Sequence, residues 1–292
     1  MTREVPGDLL TIEELIARAE FEPTLKDIYV EGPRDAEVVR LVLVEAGVDA
    51  SVYPITDRLD VRRADTEVHA VDYGNRAMLV AAAIQVDAAL GAGGHALSFI
   101  IDSDYAIVIG PQVVGATSLL MTDGPSLEHY FYESPSFQQV LSLGLGRWEY
   151  SAEEVRSKLQ GALRDVASAR LVLLDLNVPC IPKIAALCDF SAAESSANAH
   201  EIVRRSLSAV SRSQEYAGLN LSNQISTYRT WISEEQYAGR GHDIAPLLAA
   251  MLKLTGEFAK VSVLEAMMRA SVALRELLAQ PLFLNLVQRC SM

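Results

Sequence analysis

Along the first half of the chain, short unbroken apolar runs alternate with longer segments of helical period. Residues 11–20 open on Thr11, a favoured N-cap, and carry Ile12, Leu15 and Ile16 at helical spacing. After Glu22-Pro23, the run Ile28-Tyr29-Val30 predicts a buried strand over about 27–31. Val38, Val39, Leu41, Val42 and Leu43 give the broad apolar face of a helix over 33–46, with Pro33 in its first turn and Gly47 as its stop. Residues 50–55 read as a second strand, which Pro54 places near an edge or an end. The charged stretch 57–72 reads as a loop, and 75–90 as an alanine-rich helix stopped by Gly91-Ala92-Gly93-Gly94. The continuous apolar run in 96–102 suits a parallel strand covered on both faces. A further strand or ribbon is expected over 105–109 and a core strand over 118–122, after which Gly124-Pro125-Ser126 starts a helix.

This alternation predicts an α/β fold: a small doubly wound, mainly parallel sheet, with an additional C-terminal helical subdomain. The pattern changes after Ser142-Leu143-Gly144-Leu145-Gly146. Residues 152–169 read as a helix, 170–176 as one more strand, and the chain from His200 onward as mainly helical, most clearly over 243–259 and 262–278. The expected organisation is an N-terminal helical extension over 1–24, an α/β domain over 25–145 and a helical region over 146–292. No internal repeat or low-complexity linker is found.

Composition narrows the class. Of 292 residues, half are hydrophobic, enough for a sizeable core. No apolar run reaches the length of a membrane span, and the first residues lack the pattern of a signal peptide, so a soluble, cytoplasmic protein without membrane contact is expected. Cys180, Cys188 and Cys290 have no CxxC spacing and read as free thiols. A net charge of −13 argues against broad non-specific binding of nucleic acid, although Arg58, Arg62, Arg63, Arg204, Arg205 and Arg240 can form a local basic strip.

The acidic residues carry the candidate chemistry. Glu31 stands at the carboxyl end of a strand, where open α/β sheets place their ligands. Asp35 follows about one helical turn later, and Asp102 and Asp104 close the next buried strand on alternate residues. Carboxylates at two neighbouring strand ends fit a magnesium ion, which takes hard oxygen ligands and completes its shell with water and phosphate. Read singly, Asp35 suits a helix N-terminus and Asp102 a turn. Glu31 is harder to explain without a use, because an acid directly after Ile28-Tyr29-Val30 is poor strand chemistry.

The motifs Val30-Glu31-Gly32-Pro33-Arg34-Asp35 and Phe99-Ile100-Ile101-Asp102-Ser103-Asp104 resemble those of the Toprim fold. The Glu-x-x-x-Asp spacing is closest to Toprim nucleases of the OLD type. Met121-Thr122-Asp123-Gly124-Pro125-Ser126-Leu127-Glu128-His129-Tyr130 and Gly241-His242-Asp243 are similar to elements of the AriB-like Toprim family, effectors of ATPase-associated anti-phage systems. The resemblance implies Glu31 as acid–base residue or first metal ligand, Asp35, Asp102 and Asp104 as further ligands, and Glu128 as an outer-sphere carboxylate. It implies Mg²⁺, or Mn²⁺ in its place, and a nucleic-acid substrate, either RNA such as tRNA or DNA. It also implies an ABC- or AAA-type ATPase partner and a homodimer when active.

The expected function is therefore a metal-dependent endonuclease of anti-phage defence. The competing expectation is a catalytically inactive Toprim-like module that holds an ATPase partner. A small-molecule phosphotransferase or phosphatase on the same acids is a third. No GxxxxGK[ST] is present, so nucleotide hydrolysis would belong to a partner chain. The phosphate-contacting cation is open among Arg34, Arg58, Arg76, Lys183 and Arg240. His129 reads as a packing residue, with a catalytic role as the alternative, and His95 as a structural or surface residue, while Tyr228, Arg229 and Trp231 either stack a base or pack a helix face. The Leu- and Met-rich faces over 247–278 read as core, with a partner surface as the alternative.

Overall fold

In the computed structural model, which describes residues 9–60, 74–91, 96–105, 116–181, 183–234 and 240–291, the sheet is built around two wholly buried strands. These are β1, Asp27–Val30, and β3, Ser98–Ile101. They pair in parallel, with Ile28 opposite Ser98 and Tyr29 opposite Phe99. Strand β2, Ser51–Pro54, flanks β1, and β4, Leu119–Met121, flanks β3, giving an all-parallel four-stranded sheet in the order β2-β1-β3-β4. Pro54 ends an edge strand, where its missing N–H removes no ladder bond from the interior. The expected loop over 57–72 and glycine stop over 91–94 lie largely outside the described residues, as does the ribbon over 105–109. Arg62, Arg63 and His95 lie outside them entirely.

The chain divides into two compact units. The first comprises Met1–Ser103, Pro111–Asp123 and Ala273–Met292. It holds the sheet, the helices α1, Ile12–Phe21, α2, Pro33–Glu45, and α3, Asn75–Leu90, and from the C-terminal segment the helices Leu274–Leu278 and Pro281–Ser291. Helix α1 starts on a capping box, with the Thr11 hydroxyl and the Glu14 carboxylate each accepting the other's backbone N–H. Its Ile12, Leu15 and Ala19 join Tyr29, Phe99, Leu79 and Val86 in one apolar core, where the Tyr29 and Phe99 rings stack at 5.2 Å. The last twenty residues belong to this unit through backbone and side-chain bonds. Asp123 accepts the Leu282 N–H at 3.0 Å, Arg289 donates to the Thr117 carbonyl at 2.6 Å, and Lys26 donates to the Cys290 carbonyl. The sequence-based divisions at 24/25 and 145/146 differ from these groupings.

The second unit comprises Asp104–Gly110 and Gly124–Val272. Its axis is the helix Ala152–Asp175, against which the helices Ala199–Ala209, Leu221–Glu234 and Gly241–Met251 pack. The strand expected over 170–176 is instead the end of this 24-residue helix. Leu171, Val172 and Leu173 are buried as the run suggested, but no glycine or proline separates them from Val166 and Ala167, so the helix continues. Further on, the helices expected over 243–259 and 262–278 are shorter. Gly241–Met251, Val261–Ser271 and Leu274–Leu278 are separate helices, with a 3-10 turn at Gly256–Ala259. Among the described residues no helix is long and apolar enough to cross a membrane.

Candidate functional site

The strand order fixes where a ligand can enter the first unit. From β1 the chain moves outward to β2, then returns across β1 to β3 and continues to β4. Connections therefore diverge on either side of the β1–β3 pair, the topology at whose carboxyl strand ends open α/β sheets place their ligands. Glu31 follows β1 and Asp102 follows β3 at those ends. The Asp102 backbone N–H donates to Glu31 Oε1 at 3.2 Å, so the Glu31 side chain reaches across to the neighbouring strand tip. The start of α3 closes the same corner. Asn75 donates to the Glu31 carbonyl at 2.7 Å, and the Arg76 guanidinium donates to the Asp102 carbonyl. Both acids are half-buried.

Asp35 is placed differently. Its Oδ2 accepts the Gly32 N–H at 3.0 Å, closing the first turn of α2. A Cβ on residue 32 would lie 3.3 Å from that oxygen, so glycine admits the carboxylate closely. Asp104 belongs to the second unit, where Arg240 Nε lies 3.0 Å from its Oδ1 and its own N–H donates to the Pro125 carbonyl at 2.8 Å. Its φ of 46° is a left-handed turn that Asp tolerates better than most side chains. Of the acids that the strand-end reading gathered, the first unit brings the Glu31 carboxylate to the backbone of Asp102, while an Asp35 oxygen accepts from the first turn of its own helix.

Glu128 stands in the first turn of the helix Leu127–Glu133. Its Oε2 accepts the Ser126 hydroxyl at 2.7 Å, and its Oε1 faces His242 Nδ1 at 3.6 Å. The same Nδ1 lies 3.4 Å from Glu265 Oε1. Ligand atoms of Glu128, His242 and Glu265 all lie within 4.8 Å of one another, and this trio can hold a metal ion. Glu31, Asp35 and Asp102 form no comparable trio among the described residues. The adjoining Asp243 is buried and receives both Nε and Nη2 of Arg170, at 2.8 and 2.7 Å.

Sequence reasoning reached Glu128 and the Gly241-His242-Asp243 element but missed Glu265. Its signal was an acid between Leu264 and Met268 on the apolar stripe of the helix Val261–Ser271, where all three are buried. His129 is a packing residue. Burial pushes its imidazole down to about 3, with Arg156 adding to the shift, and Glu133 at 3.8 Å is too distant to hold a proton there. It lines a cavity of about 210 Å³ with Tyr132, Glu133, Arg156 and Gln160. Tyr228 packs on the long helix beside Ala167 and Leu171 and donates to Asp175, while Arg229 pairs with Asp165 at 3.2 Å. Comparison with protein-family models finds none that matches the chain, and comparison with curated proteins finds no matching relative.

Proposed function

We propose that this protein is a Toprim-like, divalent-metal-dependent endonuclease that hydrolyses phosphodiesters in RNA, such as tRNA, or in DNA. The observation that carries this reading is the meeting of Glu31 and Asp102 at the point where the strand order of a parallel sheet reverses. Magnesium is commonly held by one or two carboxylates with water and substrate phosphate completing the shell, so a site on this corner needs no more protein ligands than Glu31 and Asp102. Such an ion, when bound, activates water and neutralises charge on the transferring phosphorus. Glu31 and Asp102 would hold it. Arg76, ordered on the Asp102 carbonyl, supplies local positive charge in a chain of net charge −13. An ATPase partner, a dimeric active form and a role in anti-phage defence belong to the same proposal, on the strength of the motif resemblance.

The test uses the tag-free protein with labelled tRNA, single-stranded RNA and plasmid DNA, with and without Mg²⁺ or Mn²⁺. Cleavage that needs metal and falls by about 100-fold or more in Glu31→Gln and in Asp102→Asn is expected, equivalent to about 3 kcal/mol or more of transition-state stabilisation. Cleavage that survives both substitutions overturns the assignment. A second reading, an inactive module holding an ATPase partner, is favoured by the Arg240–Asp104 ion pair and by Asp35 closing its own helix. It predicts no cleavage of any substrate and unchanged partner binding in Glu31→Gln.

A further inference from the structure

We propose that Glu128, His242 and Glu265 form a binding site for a tetrahedral transition-metal ion of the Zn²⁺ class, with a ligand set that includes neither Glu31 nor Asp102. Three helices of the second unit contribute one ligand each. Glu128 comes from the first turn of Leu127–Glu133, His242 from the first turn of Gly241–Met251, and Glu265 from the middle of Val261–Ser271. The donor set is one imidazole nitrogen and two carboxylate oxygens. Imidazole favours zinc and its neighbours over magnesium and calcium, which take oxygen ligands.

The spacing discriminates further. His242 Nδ1 stands 3.4 Å from Glu265 Oε1 and 3.6 Å from Glu128 Oε1. The shorter of them is a weak hydrogen bond, and both exceed the about 2.7–2.9 Å of charge-assisted ones. Donor atoms bound at about 2.0–2.2 Å to a tetrahedral ion stand about 3.4 Å apart. Adjacent donors on an octahedral magnesium, bound at about 2.0–2.1 Å, stand only about 2.9 Å apart. The two edges at the imidazole match the tetrahedral case.

Burial and support point the same way. Glu265 and Glu128 have side chains 7% and 12% exposed, whereas His242 is 59% exposed. A cation held by the imidazole and the two carboxylates would add positive charge beside two nearly buried acids and offset their mutual repulsion. The exposed imidazole leaves the fourth position toward solvent, as in zinc sites with three protein ligands and a water. Ser126 donates to Glu128 Oε2 and leaves Oε1 turned to His242, the kind of orienting bond that supports a metal ligand. Gly241 makes the approach possible, since a Cβ there would lie 1.9 Å from Ser126 Oγ and 3.0 Å from Glu128 Oε2.

The experiment is calorimetric titration of the chelator-stripped, tag-free full chain with Zn²⁺, Mn²⁺ and Mg²⁺ in turn. One Zn²⁺ per chain is expected, with binding that millimolar Mg²⁺ does not displace and an increase in Tm on addition of Zn²⁺. His242→Ala, at an exposed position, and Glu265→Gln should each weaken Zn²⁺ binding by more than about tenfold. Glu31→Gln should leave it unchanged, which keeps this outcome distinct from that of the nuclease assay. No Zn²⁺ binding, equal competition by Mg²⁺, or unchanged affinity in a folded His242→Ala chain overturns the proposal. If Glu265→Gln fails to fold, His242→Ala alone decides.

Discussion

At the residue scale, His129 shows how burial outranks residue type. An imidazole next to a candidate catalytic acid invites a proton-transfer role, yet it is 4% exposed and its pKa lies near 3. The unfolded chain takes up the proton near the ordinary value of about 6.5, while the folded one does not until about 3. Stability from this group is therefore fully present above about pH 6.5 and is lost as pH falls through the interval between. Between pH 7 and pH 5 the loss amounts to about 2 kcal/mol. Urea unfolding at the two pH values should show the wild type losing that much more than His129→Leu, which has nothing to titrate. Parallel loss in both proteins would assign the acid sensitivity to other groups.

At the level of elements, the parallel strands were legible because both faces of β1 and β3 are covered, which makes their apolar runs continuous. The same signature misled at 170–176, since a buried helix segment and a buried strand look alike over seven residues. What tells them apart is the chain before it, where no glycine or proline interrupts the helix after Val166 and Ala167. Within this helix Arg170 pairs with Asp243, which lies far along the chain in the Gly241–Met251 helix, so no local pattern announces the pair. Glu265, marked in the sequence only as an acid on an apolar stripe, acquires its neighbours Glu128 and His242 only once two other helices meet it. The Arg170–Asp243 pair ties the Gly241–Met251 helix to Ala152–Asp175, and both oxygens of Asp243 are used. Asp243→Ala leaves the guanidinium buried and uncompensated, which should cost about 3–5 kcal/mol in urea unfolding. Arg170→Met with Asp243→Leu, which removes both charges, should recover most of that loss; a double variant as unstable as the single would show that packing rather than charge is at stake.

At the scale of the whole molecule, chain order and spatial grouping diverge, and this sets what can fold alone. A span of 25–145 contains every strand of the parallel sheet and all the strand-tip acids, and by sequence pattern it reads as a domain. The apolar core around Tyr29 and Phe99 also takes Ile12 and Leu15 from α1. The segment that closes this unit at the C-terminus buries Leu282, Phe283 and Leu286 and is bonded to Lys26, Thr117 and Asp123. Each of these five side chains contributes about 1.5–3 kcal/mol when buried, and the total rivals the entire 5–15 kcal/mol that holds a typical domain together. A fragment spanning 25–145 should therefore remain unfolded, with no protected amides at Tyr29, Val30, Ile100 or Ile101 in hydrogen exchange, whereas the full chain protects all four. Protection of those amides in the fragment would mean that the sheet is stable without α1 and the last twenty residues, and that their burial follows folding rather than enabling it.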